Sequence, residues 1–143
     1  MNLQCEKAVE KIWWFGYNKE KVSKQERRKH YADNNKDAAR SVYRNITEDI
    51  WKSFKDSNLY GSYARGDYKA DSDIDIMILL DLSDIDIKQY RHELSGETFD
   101  FNMDHDLDIK PIAKSQQHFQ NWVDVYPFYA NVKKEGVKLF DAA

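Results

Sequence analysis

The amino-acid sequence predicts a mixed α/β domain, because segments rich in strand-forming residues are interleaved with segments of helical periodicity. Asp73–Leu80 is dominated by Ile and Leu and predicts a strand, and Ser57–Tyr60 predicts a shorter one, with a turn at Lys69–Ser72 before the second strand. From residue 37 to residue 55 apolar side chains recur every three or four positions, which predicts a helix packed across the sheet. The 143 residues suffice for one domain with a single core.

The composition is typical of a soluble globular protein, with 41% hydrophobic and 33% charged residues. The longest apolar run, Ile76–Leu80, is far too short to cross a bilayer, and the first residues lack the apolar stretch of a secretory signal. We therefore expect a cytoplasmic protein without a membrane partner. Because Cys5 is the single cysteine, an internal disulfide and a cysteine-built zinc site are excluded.

Charge is distributed unevenly along the chain, although the net charge is only −3. Residues 1–45 carry 11 Lys and Arg against 6 Asp and Glu, and the remaining residues carry 11 against 19. An acidic second part disfavours binding along a nucleic-acid backbone, because such binding depends on neutralising phosphates with Lys and Arg. We expect no extended nucleic acid among the partners.

Helical periodicity also marks the N-terminal part of the chain. The apolar residues of Leu3–Phe15 predict a helix that carries an aromatic cluster at 13–15. These rings either lie in the core or form a surface for a partner. Residues 17–37 are dense in charged and amide side chains, which indicates a solvated helix or a mobile linker.

The second half of the chain predicts three more helices and two more strands. We expect a helix over Ser83–Leu94, with Ser83 as its N-cap and Ser95-Gly96 as its end. Residues 99–109 alternate between apolar and polar side chains; the second half of this segment predicts a strand, and the first half either continues that strand or finishes the preceding helix. Ser115 caps the next helix, Pro127 and Gly136 bound the last one, and an edge strand follows over Val137–Phe140.

Two short motifs carry candidate chemistry. Gly61-Ser62 follows the first predicted strand, and a glycine at such a strand-to-helix turn lets backbone N–H groups approach a phosphate closely. Asp73 and Asp75 are two apart on a strand, so both carboxylates project from one face and can converge on cations. Hard oxygen ligands favour Mg²⁺, and two such ions can activate an attacking oxygen and stabilise a leaving pyrophosphate. A small nucleotide bound through metal is compatible with the acidic charge.

Each motif is common enough to be structural when it occurs alone. Asp71, Asp73 and Asp75 also match the opening of a calcium-binding helix–loop–helix. The sixth position of that loop would be Ile76 instead of Gly, and the twelfth would be Leu82 instead of Glu. The calcium-loop interpretation therefore fails on two of its strictest requirements.

Taken together, Gly61-Ser62, ten residues and Asp73-Ile74-Asp75 resemble the signature of the DNA polymerase β-like nucleotidyltransferase superfamily. The longer sequence Gly-Ser-Tyr-Ala-Arg-Gly-Asp, followed by Ser-Asp-Ile-Asp-Ile, resembles the corresponding motif of the minimal bacterial members of this superfamily. The resemblance implies an α+β fold with a short twisted mixed sheet flanked by helices over residues 37–143. It barely touches residues 1–36, which we expect from their periodicity and charge to form a helical, partly basic extension. It also implies a divalent metal, with ATP or another nucleoside triphosphate as donor.

The resemblance assigns roles to individual residues. Gly61 and Ser62 would hold the triphosphate, and Asp73 and Asp75 would bind the metal ions. Arg65 would either steady phosphate charge or fix the short helix that the next glycine ends.

The family's third carboxylate lies on a neighbouring strand, where Asp106 and Asp108 both have the parity needed to face the site. The choice stays open, with Asp106 preferred as a metal ligand because Asp108 lies where the predicted strand should end. The carboxylate would also accept the proton of the acceptor hydroxyl. His105 lies on the opposite face of the predicted strand, and the other His residues are scattered, so no zinc site is expected.

One feature departs from the family pattern. The segment before Gly61 contains Lys55, Asp56, Ser57 and Asn58, where the family usually has apolar residues. We expect this strand to be short or exposed, which would loosen the phosphate turn and make activity weak or dependent on a partner.

These inferences predict an enzyme that transfers a nucleoside monophosphate, with AMP from ATP as the first expectation, to a hydroxyl of a protein or a small molecule. The resemblance implies two branches: the antitoxin of a toxin–antitoxin pair, which modifies a helical protein partner, or an enzyme acting on aminoglycoside-type antibiotics. The chain is too small to supply an acceptor pocket alone, which favours a second subunit or a homodimer. The alternative hypothesis is a nucleotide-binding or interaction module that has lost turnover.

Overall fold

The computed structural model describes Ser23 and residues 48–141. The helix predicted over Leu3–Phe15, the segment 17–37 and most of the helix predicted from residue 37 lie outside these residues. The remaining predictions can be compared with the structure directly.

The described residues form a four-stranded mixed sheet in the order β3-β2-β1-β4. The central strand β2 pairs antiparallel with β1 and parallel with β3, and β4 pairs antiparallel with the other side of β1. The strands are β1 (Phe54–Tyr60), β2 (Ile74–Leu80), β3 (Ile109–Ser115) and β4 (Val137–Asp141). The α+β class and the mixed sheet predicted from the sequence are confirmed.

Helices flank this sheet on both faces. Within residues 48–141 they are α1 (Glu48–Ser53), α2 (Ser62–Arg65), α3 (Asp84–His105), α4 (Gln116–Trp122) and α5 (Pro127–Glu135). The caps predicted for Ser83 and Ser115 are confirmed, because Ser83 Oγ accepts a hydrogen bond from Asp86 N–H at 3.1 Å and Ser115 Oγ accepts one from His118 N–H at 3.3 Å. Pro127 begins α5 as predicted, and Gly136 ends it.

Alternation along β2 divides the core between the two faces of the sheet. Even-numbered residues pack against α3, and odd-numbered residues pack against α4 and α5. The first set contacts α3 residues such as Ile87, Leu94 and Phe101, whereas Met77 and Leu79 contact Val123, Tyr129 and Val132. Asp75 therefore projects from the face that α4 and α5 cover.

The expectation of a short or exposed first strand is wrong. β1 has seven residues and is paired on both sides, and its Ser57 is fully buried. Phe54 and Leu59 anchor one face in the core, and Asp56 on the other face forms an ion pair with Lys138 of β4 at 3.4 Å. The neighbouring strands thus accommodate polar residues that would weaken an edge strand. The helix predicted to end at about residue 55 ends at Ser53, and β1 begins directly after it at Phe54.

The predicted end of the following helix is wrong as well. Ser95-Gly96 does not terminate α3, which has 22 residues and ends at His105. An interior glycine costs about 1 kcal/mol relative to alanine, and burial of Phe101 offsets this cost by roughly 1.5–3 kcal/mol. The first half of the alternating segment 99–109 finishes α3, which is one of the two alternatives predicted for it, and the strand expected in the second half begins only at Ile109. Phe99 and Met103, which set the apparent alternation, are 64% and 65% exposed on α3.

Among the residues that the structure describes, no helix is long and apolar enough to span a membrane.

Candidate active site

The turn after β1 brings the two sequence motifs into contact. Gly61 has φ +73° and ψ −152° and precedes the single-turn helix α2. A Cβ atom at Gly61 would lie 2.5 Å from Asp75 Oδ2, closer than such atoms can approach. Asp75 is paired with Tyr60 across the strands, so its carboxylate reaches the turn because residue 61 lacks a side chain.

Ser62 begins α2 at this turn. The first hydrogen bond of the helix runs from Arg65 N–H to Gly61 O at 3.1 Å, so the amides of residues 62–64 lie at the open start of the helix. Gly66, with φ +83°, ends the helix after one turn. The predicted phosphate-binding bend therefore has the expected local geometry, with Asp75 directly beside it.

Asp73 and Asp75 flank the first residue of β2, Ile74. Ile74 is buried against the α3 side, so the alternation of the strand directs both aspartates to the other face. Burial raises the pKa of the Asp75 carboxyl and the negative charge of Asp73 raises it further, whereas the positive charges of Arg65 and Lys110 oppose both effects. The two aspartates thus repel each other at short range, which a bound cation would relieve.

The third carboxylate is not placed as the sequence predicted. Asp106 has φ +52° and is the residue that ends α3, so it does not belong to a strand. Asp108 directly precedes β3, and its backbone oxygen accepts a hydrogen bond from Ile74 N–H at 2.9 Å. The reason for preferring Asp106 is wrong, because the strand begins after Asp108 instead of ending near it. Of the two candidates, Asp108 lies beside the start of β2.

The position of Asp108 depends on Asn102, which sequence reasoning missed. The Asn102 amide donates to Ile109 O at 3.1 Å and accepts from Ile109 N–H at 3.0 Å. This pair of hydrogen bonds fixes the first residue of β3 against the last turn of α3. The contact joins residues seven apart across a helix end, a separation that carries no pattern in the sequence.

Arg65 is exposed at the end of α2 and is held by two carboxylates. Its Nε atom lies 3.2 Å from Asp67 Oδ2, and its Nη1 atom lies 3.5 Å from Glu135 Oε2 on α5. The guanidinium therefore links the turn after β1 to α5, and its charge also acts on Asp75.

Tyr60 and Lys110 complete the surroundings of Asp75, and neither was expected from the sequence. Burial, with a further contribution from the charge of Asp75, raises the pKa of Tyr60 to about 12. Lys110 is the β3 partner of Asp75 in the parallel ladder, and its Nζ atom lies 3.2 Å from Asp108 Oδ1. Tyr60 thus stays a neutral phenol at physiological pH, and Lys110 is a cation among carboxylates.

The donor set fits Mg²⁺ with help from a substrate. Within the described part of the chain, no three His, Cys, Asp or Glu side chains are grouped so that they alone could hold a metal ion. Mg²⁺ is usually bound through one or two carboxylates together with substrate phosphates, and not by an all-protein cage. Asp73 and Asp75 supply such a pair beside a turn suited to phosphate. His105 is not placed as a ligand for this metal ion, because its ring stacks on Phe101 and its Nδ1 atom lies 2.9 Å from Phe101 O.

A cavity of about 290 Å³ lies elsewhere, between α3 and β3. Its lining includes Ile78, Leu94 and Pro111 and none of the predicted site residues. The paired aspartates lie on the other face of the sheet, so this cavity is not the site that the motifs define.

The fold has counterparts among solved structures. It is similar to a crystal structure of a "putative nucleotidyltransferase" from Sulfolobus solfataricus, with a TM-score of 0.51 and 18% identity over 83% of this chain and 85% of that chain. A crystal structure of a toxin–antitoxin with AMP-PNP has a TM-score of 0.46 and 22% identity over 76% of this chain and 74% of that chain. The first similarity gives the class of fold, which is that of the nucleotidyltransferases.

The sequence comparisons define the family. A family model described as a nucleotidyltransferase domain matches residues 40–138, well over half of the chain. A relative from Methanocaldococcus jannaschii, named "putative protein adenylyltransferase", is 37% identical over 82 residues, which cover 57% of this chain and 74% of the relative. The chain belongs to the nucleotidyltransferase-domain family, as the resemblance of its motifs predicted.

Proposed function

We propose that this nucleotidyltransferase transfers AMP from ATP to a hydroxyl group of a protein, with Mg²⁺ bound by Asp73 and Asp75. The observation that carries the proposal is the contact between Gly61 and Asp75, which brings the glycine turn and the aspartate together. This proximity supports joint binding of a triphosphate and its metal ion. Both parts are needed for nucleotidyl transfer, and a merely structural turn would not need the aspartates.

In the proposed reaction, the acceptor oxygen forms a bond to the α-phosphorus while the bond from that phosphorus to the β-phosphate oxygen breaks, and pyrophosphate leaves. The amides at Gly61 and Ser62 bind the triphosphate, and Arg65 adds positive charge beside it. Asp108 accepts the proton of the acceptor hydroxyl. Mg²⁺, when bound, neutralises phosphate charge and polarises the reacting oxygens.

Two observations favour a protein as acceptor over a small molecule. The relative that is 37% identical is named as a protein adenylyltransferase. In addition, Trp122, Tyr126 and Phe128 are each more than 40% exposed on the side of the sheet that carries Asp75, and Phe128 packs edge-to-face on Tyr60 with ring centroids 5.5 Å apart. Exposed aromatic side chains are enriched in protein–protein interfaces. The antitoxin role implied by the sequence stays a prediction.

The test is transfer of label from α-³²P-ATP in the presence of Mg²⁺, with the product of a neighbouring reading frame as the first acceptor. We expect the wild type to label a protein, and the double substitution Asp73→Asn/Asp75→Asn to lower the rate at least roughly 100-fold. Asp71→Asn, an exposed aspartate in the preceding turn, is the matched control and should retain the rate.

The same experiment distinguishes the proposed enzyme from the alternative, a nucleotide-binding module without turnover. Metal-dependent binding of ATP that the double substitution abolishes, without label on any acceptor, would favour an inactive nucleotide-binding module. Labelling that persists in the double variant would refute the proposed site.

A further inference from the structure

Lys110 has an unusual position among the carboxylates of the candidate site. The parallel ladder pairs Ile74 with Ile109 and Asp75 with Lys110, so the lysine side chain leaves β3 on the face from which Asp75 leaves β2. The sequence indicated no role for Lys110. The structure instead places it inside β3, beside the site.

Lys110 interacts with carboxylates of the candidate site. Its ammonium lies 3.2 Å from Asp108 Oδ1, and its charge acts on Asp75. Arg65, the other cation that acts on Asp75, is held by Asp67 and Glu135, neither of which is a candidate ligand. Lys110 thus forms an ion pair with a carboxylate of the site, whereas the ion pairs of Arg65 are with carboxylates outside it.

We propose that Lys110 is a counter-ion of the carboxylate site, and that a divalent cation bound by Asp73 and Asp75 must displace the Lys110 ammonium from its place beside them on Asp108. This inference rests on the metal site of the proposed function. An ammonium and a divalent ion cannot occupy neighbouring positions without strong repulsion, which grows as water is excluded. The lysine stem is flexible and 58% exposed, so the ammonium can move into solvent when it is displaced.

The consequence is a coupling between metal and nucleotide binding. Without nucleotide, Lys110 competes with the metal for the carboxylates and makes metal binding weak. A triphosphate brings negative charge that favours the metal and can pair with the displaced ammonium. Lys110 thereby suppresses metal binding in the absence of the substrate.

The test measures Mn²⁺ binding to the whole protein without nucleotide, by electron paramagnetic resonance of the free ion. Lys110→Met should tighten Mn²⁺ binding roughly three- to fivefold, the upper part of the range for removing one partly exposed charge interaction. Lys110→Arg keeps the charge and should bind Mn²⁺ as the wild type does. Lys114→Met is the matched control, because it lies on the same strand and face about 13 Å further along, and it should change the affinity less than about twofold.

A second readout uses thermal unfolding with and without Mn²⁺. In chelator, Lys110→Met should lower the Tm because Asp108 then loses its ion pair with Lys110, and Mn²⁺ should raise the Tm of the variant more than it raises that of the wild type. Unchanged or weaker Mn²⁺ binding by Lys110→Met would overturn the inference. Weaker ATP binding with unchanged Mn²⁺ binding would also overturn it, since Lys110 would then be a phosphate ligand.

The two proposals can fail separately. If the double variant Asp73→Asn/Asp75→Asn binds Mn²⁺ as tightly as the wild type does, the proposed metal site is wrong, and the inference about Lys110 is refuted with it. If that substitution abolishes Mn²⁺ binding while Lys110→Met leaves it unchanged, the metal site stands and the role of Lys110 alone is refuted.

Discussion

At the scale of single residues, the site depends on one missing side chain and on one unfavourable charge. Gly61 allows Asp75 to approach the turn, and Asp75 is held there despite burial and the charge of Asp73. Both features cost stability, and both have a clear use if a cation and a polyphosphate bind at this point. Function is thus visible where the local structure is least favourable.

Gly61→Ala should destabilise the protein and lower nucleotide transfer. The positive φ alone costs about 1–2 kcal/mol for alanine, and the overlap with Asp75 Oδ2 must also displace the carboxylate, which should slow transfer roughly 100-fold. Gly66→Ala is the control, because Gly66 has φ +83° but no atom within 4 Å of the added Cβ. Chemical denaturation and the labelling assay measure the two effects. A Gly66→Ala variant that loses as much activity as Gly61→Ala would contradict this role of the turn.

Asp75→Asn should stabilise the protein in metal-free buffer while it abolishes transfer. The raised pKa of Asp75 means that the folded state disfavours its charged form, so at neutral pH the charge opposes folding. Because the group is partly exposed, solvent screening limits the gain to a few tenths to 1 kcal/mol. The free energy of unfolding at pH 7 in chelator measures it. A clear loss of stability in Asp75→Asn would show that the carboxylate has a structural role.

At the scale of elements, β1 and the end of α3 decide whether the site is held rigidly. β1 carries the turn and lies between β2 and β4. The last turn of α3 is joined to β3 through Asn102, which positions Asp108. Each element therefore supports one half of the site.

Ser57→Ala in β1 should raise the free energy of unfolding by roughly 0.5–1 kcal/mol. Ser57 is fully buried, and within the described residues its hydroxyl has no hydrogen-bond partner, so removing it relieves a desolvation cost. Ser53→Ala is the matched comparison with the opposite sign, because the buried Ser53 hydroxyl donates to Ile50 O at 2.7 Å. Denaturant titration should show a higher free energy of unfolding for Ser57→Ala and a lower one for Ser53→Ala. A destabilised Ser57→Ala variant would refute this interpretation.

Asn102→Ala should lower the free energy of unfolding by about 1–3 kcal/mol. The change removes both hydrogen bonds to the Ile109 backbone and leaves these groups without their partner. Activity should fall as well, since Asp108 immediately precedes the released residue. Asn121→Ala, at an exposed position of α4, serves as the control in denaturant titration. If the two variants are equally stable, Asn102 does not hold β3 to α3.

At the scale of the whole molecule, the features that depend on residues close in sequence could be predicted, and those that depend on long-range contacts could not. The Ile and Leu content of β2, the serine caps and Pro127 act through neighbouring residues, and each led to a correct prediction. The polar strand β1 was underestimated because its stability comes from pairing on both sides.

The candidate site follows the same division. Gly61, Ser62, Asp73 and Asp75 could be selected from the sequence because their spacing is local and chemically specific. The sequence did not decide between Asp106 and Asp108 as the third carboxylate, because the alternation in residues 99–108 fits both a strand and a helix with exposed apolar residues. Lys110 and Asn102 act through the register of β3 and the geometry of a helix end, which spacing along the chain does not reveal.

The most direct measurement is anomalous diffraction from crystals of the protein grown with Mn²⁺ and a non-hydrolysable ATP analogue. We predict a Mn²⁺ peak within about 2.2 Å of carboxylate oxygens of Asp73 and Asp75, with the triphosphate against the amides of Gly61 and Ser62. A metal and nucleotide bound on the other face of the sheet, or bound without contact to either aspartate, would contradict the proposed site.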